Sequence, residues 1–346
     1  MNIALISFNS GGTMGHMTLI TKLLKKINKK NKVFLFTDHD YHSFTNVKID
    51  SSQMIKLPHQ KHMRSAGGKI TYKYFNYFID EVVKRDIKVV IFSTFYDPHI
   101  LKLLKEKNIK RILISYPLRD SFRMLMKVRK YYNFFDKILT LNDISDIKVR
   151  FPNEEIVSFL ETKYRHPVIK NHKKKNILIT CGGGGRPSSK LFWQQITKVI
   201  KFFEKNNKDL FFTLIKGNSK VSISTSNSMI INWSNNFSKL LNKADFVISE
   251  GGYYTLIDLI SLEKPAILIP GERRIDNQEL RAINFERKGL GFCILPVEDS
   301  KIIINKISVL IDNPKIMSEF SKNIKSFKRR FFKHPGIIKA LNRCIK

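Results

Sequence analysis

The chain has 346 residues, of which 42% are hydrophobic, so it is long enough to form two domains that each bury a core. Its 62 Lys and Arg outnumber its 29 Asp and Glu, which gives a formal net charge of +33. No apolar run reaches the roughly 18 residues of a membrane-spanning helix, and the three cysteines have neither metal-ligand nor disulfide spacing. These features exclude an integral membrane protein and a disulfide-rich secreted one, and we expect a cytoplasmic protein.

The net charge has two explanations. It can attract a polyanion, either nucleic acid or an anionic membrane face, or it can reflect a composition rich in Lys, Asn and Ile. Because the basic residues are spread along the chain, the second explanation is favoured. One stretch, 119–135, combines five bases with apolar residues and fits equally a helix in a lipid headgroup layer and a helix packed against the core. Its apolar residues include Phe122, Leu125, Met126, Val128 and Tyr132.

Short apolar strands alternate with amphipathic helices in the first half of the chain. The first predicted strand, 2–8, is followed by a helix at 14–26, and further strands are predicted at 32–37, 88–93, 111–115 and 137–141. Alternation of this kind predicts a parallel sheet that is covered by helices on both faces.

The alternation thins after Arg150 and restarts at Asn176. The segment 164–175 contains a proline and three consecutive lysines, and it is predicted to be an interdomain hinge. A second set of strands is predicted at 176–181, 210–215, 229–232, 245–249, 266–269 and 291–295. The predicted fold class is therefore α/β, with two Rossmann-like domains facing each other across a cleft. The predicted domain bounds are 1–165 and 176–313, with C-terminal helices at 314–346 packing back toward the first domain.

Three glycine clusters each follow a predicted strand and open a helix. They are GGTMGH at 11–16, GGGG at 182–185 and GG at 251–252. Glycines let a ligand approach the backbone, and the helix N-terminus that follows offers N–H groups to an anion. The strands ending at 249 and 269 are predicted to open into one crevice, where ligands of open α/β sheets lie. The sequence therefore predicts a site for a phosphorylated ligand.

These motifs resemble those of the GT-B glycosyltransferases, and most closely those of family 28, which includes the transferase that adds N-acetylglucosamine to the peptidoglycan lipid precursor. GGTMGH is similar to the GGTGGH signature of that family, with Met14 in place of a glycine. The segments ILITCGGGG at 177–185, ADFVISEGGYYTLIDLISLEKPAILIP at 244–270 and RRIDNQELRA at 273–282 resemble those of a subgroup of bacterial transferases. The resemblance spans essentially the whole chain, and its specific part is 177–282.

The resemblance implies a donor site for a nucleotide diphosphate sugar in the second domain. Backbone N–H groups at Gly251, Gly252 and Tyr253, together with the Thr255 hydroxyl, would hold the two phosphates. Asp258 stands where the family has a glutamate that binds the ribose hydroxyls. A favourable charge in the first turns of a helix is the alternative explanation of Asp258.

Neighbouring loops carry the other residues of the implied donor site. A glycine turn would let the backbone approach the diphosphate or the acceptor, and it comprises Gly182, Gly183 and Gly184. Asp276 and Gln278 would contact hydroxyls of the donor sugar, with a solvated loop and a helix cap as the alternative. Arg273 or Arg274 would supplement the phosphate site.

His16 is the candidate general base on the acceptor side. Imidazole titrates near neutral pH, so His16 can take the proton of an acceptor hydroxyl as its oxygen attacks the anomeric carbon. A solvent-exposed histidine at a helix start is the alternative. The loop that would aim His16 into the cleft comprises Gly11, Gly12, Thr13 and Gly15. Glu250, at a strand end directly before the paired glycines, is the second candidate for a catalytic residue.

The resemblance implies a transferase that moves a sugar, expected to be UDP-linked, to a hydroxyl acceptor with inversion and without a metal ion or other cofactor. The expected acceptor is a lipid-linked or cell-surface glycan precursor, reached by peripheral contact with the anionic inner face of the cell membrane. No specific nucleic acid is expected as a partner. Two alternatives stay open. One is a nucleotide-sugar epimerase or hydrolase of the same fold, and the other is a polyanion-binding or DNA-modifying protein, for which no nucleic-acid-binding signature is found.

Overall fold

The structure, a computed structural model, describes residues 1–7, 15–27, 31–37, 49–57, 72–93, 97–162, 174–184, 187–206, 209–234, 236–273, 276–295 and 299–346, with the backbone alone at 15–17 and 72–75. The described chain divides into two compact units. Unit 1 comprises Met1–Asn142, Ile147–Leu160 and His334–Lys346, and unit 2 comprises Asp143–Asp146 and Glu161–Lys333.

Thirteen strands and eleven α-helices are found in the described residues. The strands are β1 (Asn2–Ser7), β2 (Lys32–Thr37), β3 (Met54–Lys56), β4 (Ile87–Ser93), β5 (Lys110–Ser115), β6 (Lys137–Leu141), β7 (Glu154–Val157), β8 (Lys175–Thr180), β9 (Leu210–Ile215), β10 (Ser228–Ile231), β11 (Phe246–Ser249), β12 (Ala266–Leu268) and β13 (Gly291–Cys293). The helices are α1 (Gly15–Ile27), α2 (Tyr72–Lys84), α3 (Pro98–Glu106), α4 (Asp120–Val128), α5 (Pro187–Asn206), α6 (Phe237–Lys243), α7 (Tyr253–Ser261), α8 (Gln278–Arg287), α9 (Ser300–Asp312), α10 (Pro314–Phe331) and α11 (Ile337–Ile345).

Unit 1 is built on a seven-stranded parallel sheet in the order β3-β2-β1-β4-β5-β6-β7. In β1, β2 and β5 every residue after the first is buried, as expected for a parallel sheet that is covered on both faces. One core cluster joins this sheet to α2, α3 and α4. Phe78 of α2, Leu101 of α3 and Met126 of α4 are among its buried members.

Helix α4 is fixed to unit 1 by a buried ion pair. The Arg123 guanidinium donates from Nη2 to Glu154 Oε1 at 2.5 Å and from Nε to the Val149 carbonyl at 2.7 Å, and it lies 4.5 Å from the centre of the Phe151 ring. The Arg123 and Glu154 side chains are 0% and 2% exposed. The guanidinium therefore holds one face of α4 against the sheet.

Helix α4, in the stretch 119–135, has one buried face and one exposed face. Met126 is buried in the core and Phe122 packs against it. Met124, Leu125 and Val128 point outward and are 49%, 42% and 72% exposed. The helix is thus a core-packing helix that also carries an exposed apolar face.

Unit 2 is built on a six-stranded parallel sheet in the order β10-β9-β8-β11-β12-β13. Its core cluster includes one face of α5, with Trp193, Ile196 and Phe203, and one face of α9, with Ile303 and Ile307. These positions recur at the three- and four-residue spacing of an amphipathic helix, which explains why α5 and α9 lie on the sheet. Both sheets therefore have the strand order of a Rossmann-like fold.

The predicted α/β fold class is confirmed, and so are the predicted strands, with ends that shift by at most two residues. Two strands, β3 and β7, were not predicted. The predicted domain bounds remain a prediction, and in the division given above α10 belongs to unit 2 and α11 to unit 1. No helix in the described ranges is long and apolar enough to cross a membrane.

Candidate active site

The strand order of unit 2 creates a crevice between β8 and β11. From β8 the chain runs through β9 to β10 on one side, and from β11 it runs through β12 to β13 on the other. The strand order therefore reverses between β8 and β11, and the loops that follow these two strands diverge. Ligands of open α/β sheets bind at such a reversal point. The glycine turn at 182–184 follows β8, and Gly251 and Gly252 follow β11.

The N-terminus of α7 lies at this crevice. Gly251 has φ +70°, a conformation that side chains strongly disfavour, and Gly252 is the N-cap residue of α7. Gly252 has no side chain of its own that could cap the helix. The first N–H groups of a helix have no acceptor within the helix, and the helix dipole makes that end attractive to an anion. The Gly251 N–H donates to Ser249 Oγ at 3.3 Å, and the role of the 251–253 backbone as a diphosphate site stays a prediction.

Gln278, the first residue of α8, lies beside this helix end. A Cβ placed on Gly252 would be 3.6 Å from Gln278 Nε2. The Gln278 side chain is buried, with 5% exposed, and its Oε1 has no hydrogen-bond partner among the described residues. A buried amide oxygen without a partner is costly, so Oε1 is a ready acceptor for a ligand hydroxyl.

The glycine turn after β8 is mainly a packing element. A Cβ on Gly184 would lie 2.7 Å from the Lys216 carbonyl oxygen and 2.8 Å from the Ser219 nitrogen. Asn218 donates its N–H to the Gly183 carbonyl at 2.8 Å. Gly182, with φ +69°, has open space on its Cβ side. Gly182 thus has room for a ligand beside it, whereas Gly184 does not.

Glu250 and Arg273 form a buried ion pair next to the paired glycines. Arg273 Nη2 donates to Glu250 Oε2 at 2.6 Å, and Arg273 Nη1 donates to Ser188 Oγ of α5 at 3.0 Å. The Arg273 side chain is 10% exposed and the Glu250 side chain is 3% exposed. Gly271 packs against the pair, because a Cβ there would lie 2.9 Å from Arg273 Nη1. In this arrangement Glu250 anchors a cation beside the crevice, and its predicted catalytic role stays a prediction.

Asp258, the predicted ribose ligand, lies in the second turn of α7 and is 7% exposed. Its Oδ1 accepts a hydrogen bond from the Thr162 hydroxyl. The Thr162 N–H in turn donates to Ser261 Oγ at 3.1 Å. The Asp258 carboxylate is therefore engaged by the segment at which the chain enters unit 2, a contact that a ribose hydroxyl would have to share or replace.

The predicted acceptor-side loop is only partly described. Gly11, Gly12 and Thr13 lie outside the described residues. Gly15 and His16 begin α1, but nothing is described of the His16 side chain. Arg274 also lies outside the described residues. The role of His16 as a base therefore stays a prediction.

Sequence reasoning missed Arg281, which the structure places at the centre of the site. Arg281 is fully buried and contacts Asp143, Asp276 and the Gly251 carbonyl. An arginine four residues into an amphipathic helix is usually solvent-exposed. The one signal in the sequence that could have identified Arg281 was its place in the motif RRIDNQELRA.

Comparisons with known proteins find glycosyltransferases. Residues 176–334 match the model of the glycosyltransferase family 28 C-terminal domain. The chain is 25% identical over 277 residues to a UDP-N-acetylglucosamine–N-acetylmuramyl-(pentapeptide) pyrophosphoryl-undecaprenol N-acetylglucosamine transferase of Thermosipho melanesiensis, covering 70% of this chain and 80% of the relative. It is 24% identical over 327 residues to the protein of that name in Caldicellulosiruptor saccharolyticus, covering 85% of each chain.

Solved structures show the same architecture. The spinosyn forosaminyltransferase SpnP superposes with a TM-score of 0.72 at 12% identity, and the alignment covers 100% of both chains. The spinosyn rhamnosyltransferase SpnG complexed with thymidine diphosphate gives a TM-score of 0.72 at 10% identity, also over 100% of both chains. At such identities the likeness establishes the fold.

The family model and the relatives identify this chain as a glycosyltransferase, and the solved structures show that its fold is GT-B. The resemblance to family 28 that the glycine motifs predicted is confirmed, since residues 176–334 match the model of that family's C-terminal domain.

Proposed function

We propose that this glycosyltransferase takes its sugar from a UDP-linked donor and transfers it, with inversion, to a hydroxyl of a lipid-linked or cell-surface glycan precursor. The names of the relatives from Thermosipho melanesiensis and Caldicellulosiruptor saccharolyticus support a UDP-sugar donor and an undecaprenyl-linked acceptor. Inversion means a single displacement at the anomeric carbon, with the nucleoside diphosphate leaving as the acceptor oxygen attacks. The acceptor must then be deprotonated, which is the role proposed for His16.

The observation that carries the proposal is the N-terminus of α7, which begins at a glycine N-cap and has the buried oxygen of Gln278 beside it. In this proposal, backbone N–H groups at 251–253 stabilise the negative charge that develops on the leaving diphosphate. The unpartnered Gln278 Oε1 accepts a hydrogen bond from a hydroxyl of the donor sugar, and Asp276 lies two residues before it. Asp258 then accepts from the ribose in place of, or together with, Thr162.

The proposal includes transfer without a metal ion, because the helix end supplies the stabilisation of the leaving group. Among the described residues, no group of three or more His, Cys, Asp or Glu could hold a metal ion. The tripeptide Asp38-His39-Asp40 has Asp-x-Asp spacing and lies outside the described residues. Metal independence therefore stays a prediction of the proposal.

Removal of the Gln278 amide should separate sugar binding from nucleotide binding. We expect Gln278→Ala to weaken UDP-N-acetylglucosamine binding about tenfold, since a buried hydrogen bond to the sugar is lost, while the Kd of UDP changes little. Isothermal titration of both ligands measures the two effects. Gln194→Ala, an exposed glutamine on α5, is the matched control and should leave both Kd values unchanged.

Two results would contradict the proposal. Wild-type protein that binds neither UDP nor any UDP-sugar has no donor site of this kind. Equal losses of UDP and UDP-sugar affinity in Gln278→Ala would place Gln278 away from the sugar.

The exposed face of α4 supports the proposed contact with an anionic membrane. Met124, Leu125 and Val128 form an apolar surface, and Lys127, Arg129 and Lys130 beside it are exposed. Apolar side chains that enter the headgroup layer, with bases on their flanks, are typical of peripheral binding to anionic lipid. A transferase that uses a lipid-linked acceptor would gain access to its substrate in this way.

An acidic substitution on this face tests the membrane contact. We expect Val128→Asp to reduce partitioning onto phosphatidylglycerol vesicles about tenfold in a sedimentation assay, because it removes about 1.5 kcal/mol or more of apolar burial. Val83→Asp changes the net charge equally at an exposed position of α2 and should have a much smaller effect. Equal losses in the two variants would mean that net charge alone drives the binding.

A further inference from the structure

Arg281 lies at the centre of a buried cluster of charges in unit 2. Its Nε donates to Asp143 Oδ1 at 3.0 Å, and its Nη2 donates to Asp276 Oδ1 at 2.9 Å. The Arg281 and Asp143 side chains are both 0% exposed, whereas the Asp276 side chain is 24% exposed. One carboxylate therefore lies behind the guanidinium and the other lies toward solvent.

The same guanidinium also holds the turn at the start of α7. Arg281 Nη1 donates to the Gly251 carbonyl at 3.3 Å, and its central carbon lies 5.7 Å from the centre of the Tyr253 ring. Gly251 and Tyr253 belong to the proposed diphosphate site, and Asp276 belongs to the proposed sugar site. A planar guanidinium with several donors in fixed directions can hold these separate loops in one geometry.

Asp143 is the anchor that fixes the guanidinium. Its carboxylate accepts the Ile144 N–H at 2.8 Å and the Ser145 hydroxyl at 2.7 Å in addition to the contact with Arg281. Burial by itself lowers the pKa of Arg281, but the charges of Asp143 and Asp276 outweigh burial and raise its pKa. The guanidinium therefore stays charged, and the Asp143 side chain is fully buried behind it.

We infer that Arg281 is a positioning residue of the donor site, held from behind by Asp143, which sets the Gly251 turn and the Asp276 carboxylate in the geometry that binds the donor. The inference rests on the proposed donor site and extends it to two residues that would not contact the ligand. Asp143 lies more than 100 positions before Gly251, Asp276 and Arg281 in the sequence, yet it fixes the arginine that holds them.

The test compares binding with stability in three variants. Asp143→Asn keeps the shape of the side chain but removes its charge, and Arg281→Lys keeps the charge but removes the planar donor set. Arg123→Lys is the matched control, because Arg123 is an equally buried arginine that pairs with a carboxylate in unit 1. The melting temperature and the Kd values of UDP and UDP-N-acetylglucosamine are measured for each variant.

We expect all three variants to melt at a lower temperature, but only Asp143→Asn and Arg281→Lys to lose affinity. Small displacements of positioning groups have large effects, so the Kd of UDP-N-acetylglucosamine should rise about tenfold or more in these two variants. In Arg123→Lys it should stay at the wild-type value. If Arg281→Lys does not fold, the Kd values of the isosteric Asp143→Asn variant decide whether the cluster positions the donor site.

A fall in melting temperature with unchanged Kd values in Asp143→Asn and Arg281→Lys would overturn the inference, since the cluster would then be structural alone. If the proposed donor site does not exist, the measurements give a different result. Wild-type protein would then bind neither UDP nor UDP-N-acetylglucosamine, and the inference would fall together with that site.

Discussion

Replacement of Gly252 by valine is expected to weaken UDP binding about a hundredfold while leaving the fold intact. Gly252 has φ −57°, which any residue adopts, and a Cβ there meets only Gln278 Nε2 at an ordinary 3.6 Å. The cost to folding should therefore be small. A side chain at this position would lie where a phosphate must approach the backbone, and the loss of two charge-assisted hydrogen bonds costs about 3 kcal/mol or more. Isothermal titration with UDP measures the effect.

Gly336→Val is the matched control for this substitution. Gly336 is the N-cap of α11 with φ −66° and ψ 141°, close to the φ −57° and ψ 148° of Gly252, and it has open space around it. The control should bind UDP as the wild type does. Wild-type affinity in Gly252→Val would mean that the diphosphate does not bind at the start of α7.

The Arg123→Ala variant should lose about 3–5 kcal/mol of unfolding free energy, since removal of one partner leaves a buried charge without compensation. The partner, Glu154, is 2% exposed, and its remaining contacts are neutral donors, the Thr140 hydroxyl and the Phe151 N–H. We expect the melting temperature of unit 1 to fall by about 10 °C. Urea unfolding monitored by circular dichroism provides the free energy.

Arg129→Ala, at the C-cap of the same helix, is the control for Arg123→Ala. Arg129 is exposed, and its hydrogen bond to the Tyr131 hydroxyl is 3.4 Å long, so the loss should stay within about 0.5 kcal/mol. Equal stabilities of the two variants would show that the ion pair does not hold α4 in place.

The sequence predicts the central strands well because burial on both faces leaves an apolar run in the chain. It does not predict β3 and β7, which are the two edge strands of the first sheet. β7 begins with Glu154 and Glu155, and β3 has only three residues. β3 is too short, and β7 too acidic at its start, to differ clearly from a loop, whereas the edge strands of the second sheet, β10 and β13, were predicted.

The residues of the candidate site that belong to a local motif can be predicted from the sequence. Contacts between residues that are far apart in the sequence cannot. The glycines after β11 and the residues Asp276 and Gln278 follow from motifs. The contacts Thr162–Asp258 and Asp143–Arg281 join residues 96 and 138 positions apart, and no periodicity encodes such pairs. The burial of Arg123 could not be predicted for the same reason, since its partner Glu154 lies 31 positions away.

The most direct test of the donor site is amide hydrogen exchange with and without saturating UDP. The account predicts slower exchange at 251–255, where first-turn amides of α7 would donate to the diphosphate, and unchanged exchange in α11. Unchanged exchange at 251–255, with protection elsewhere or none at all, would contradict the donor site and the function that is built on it.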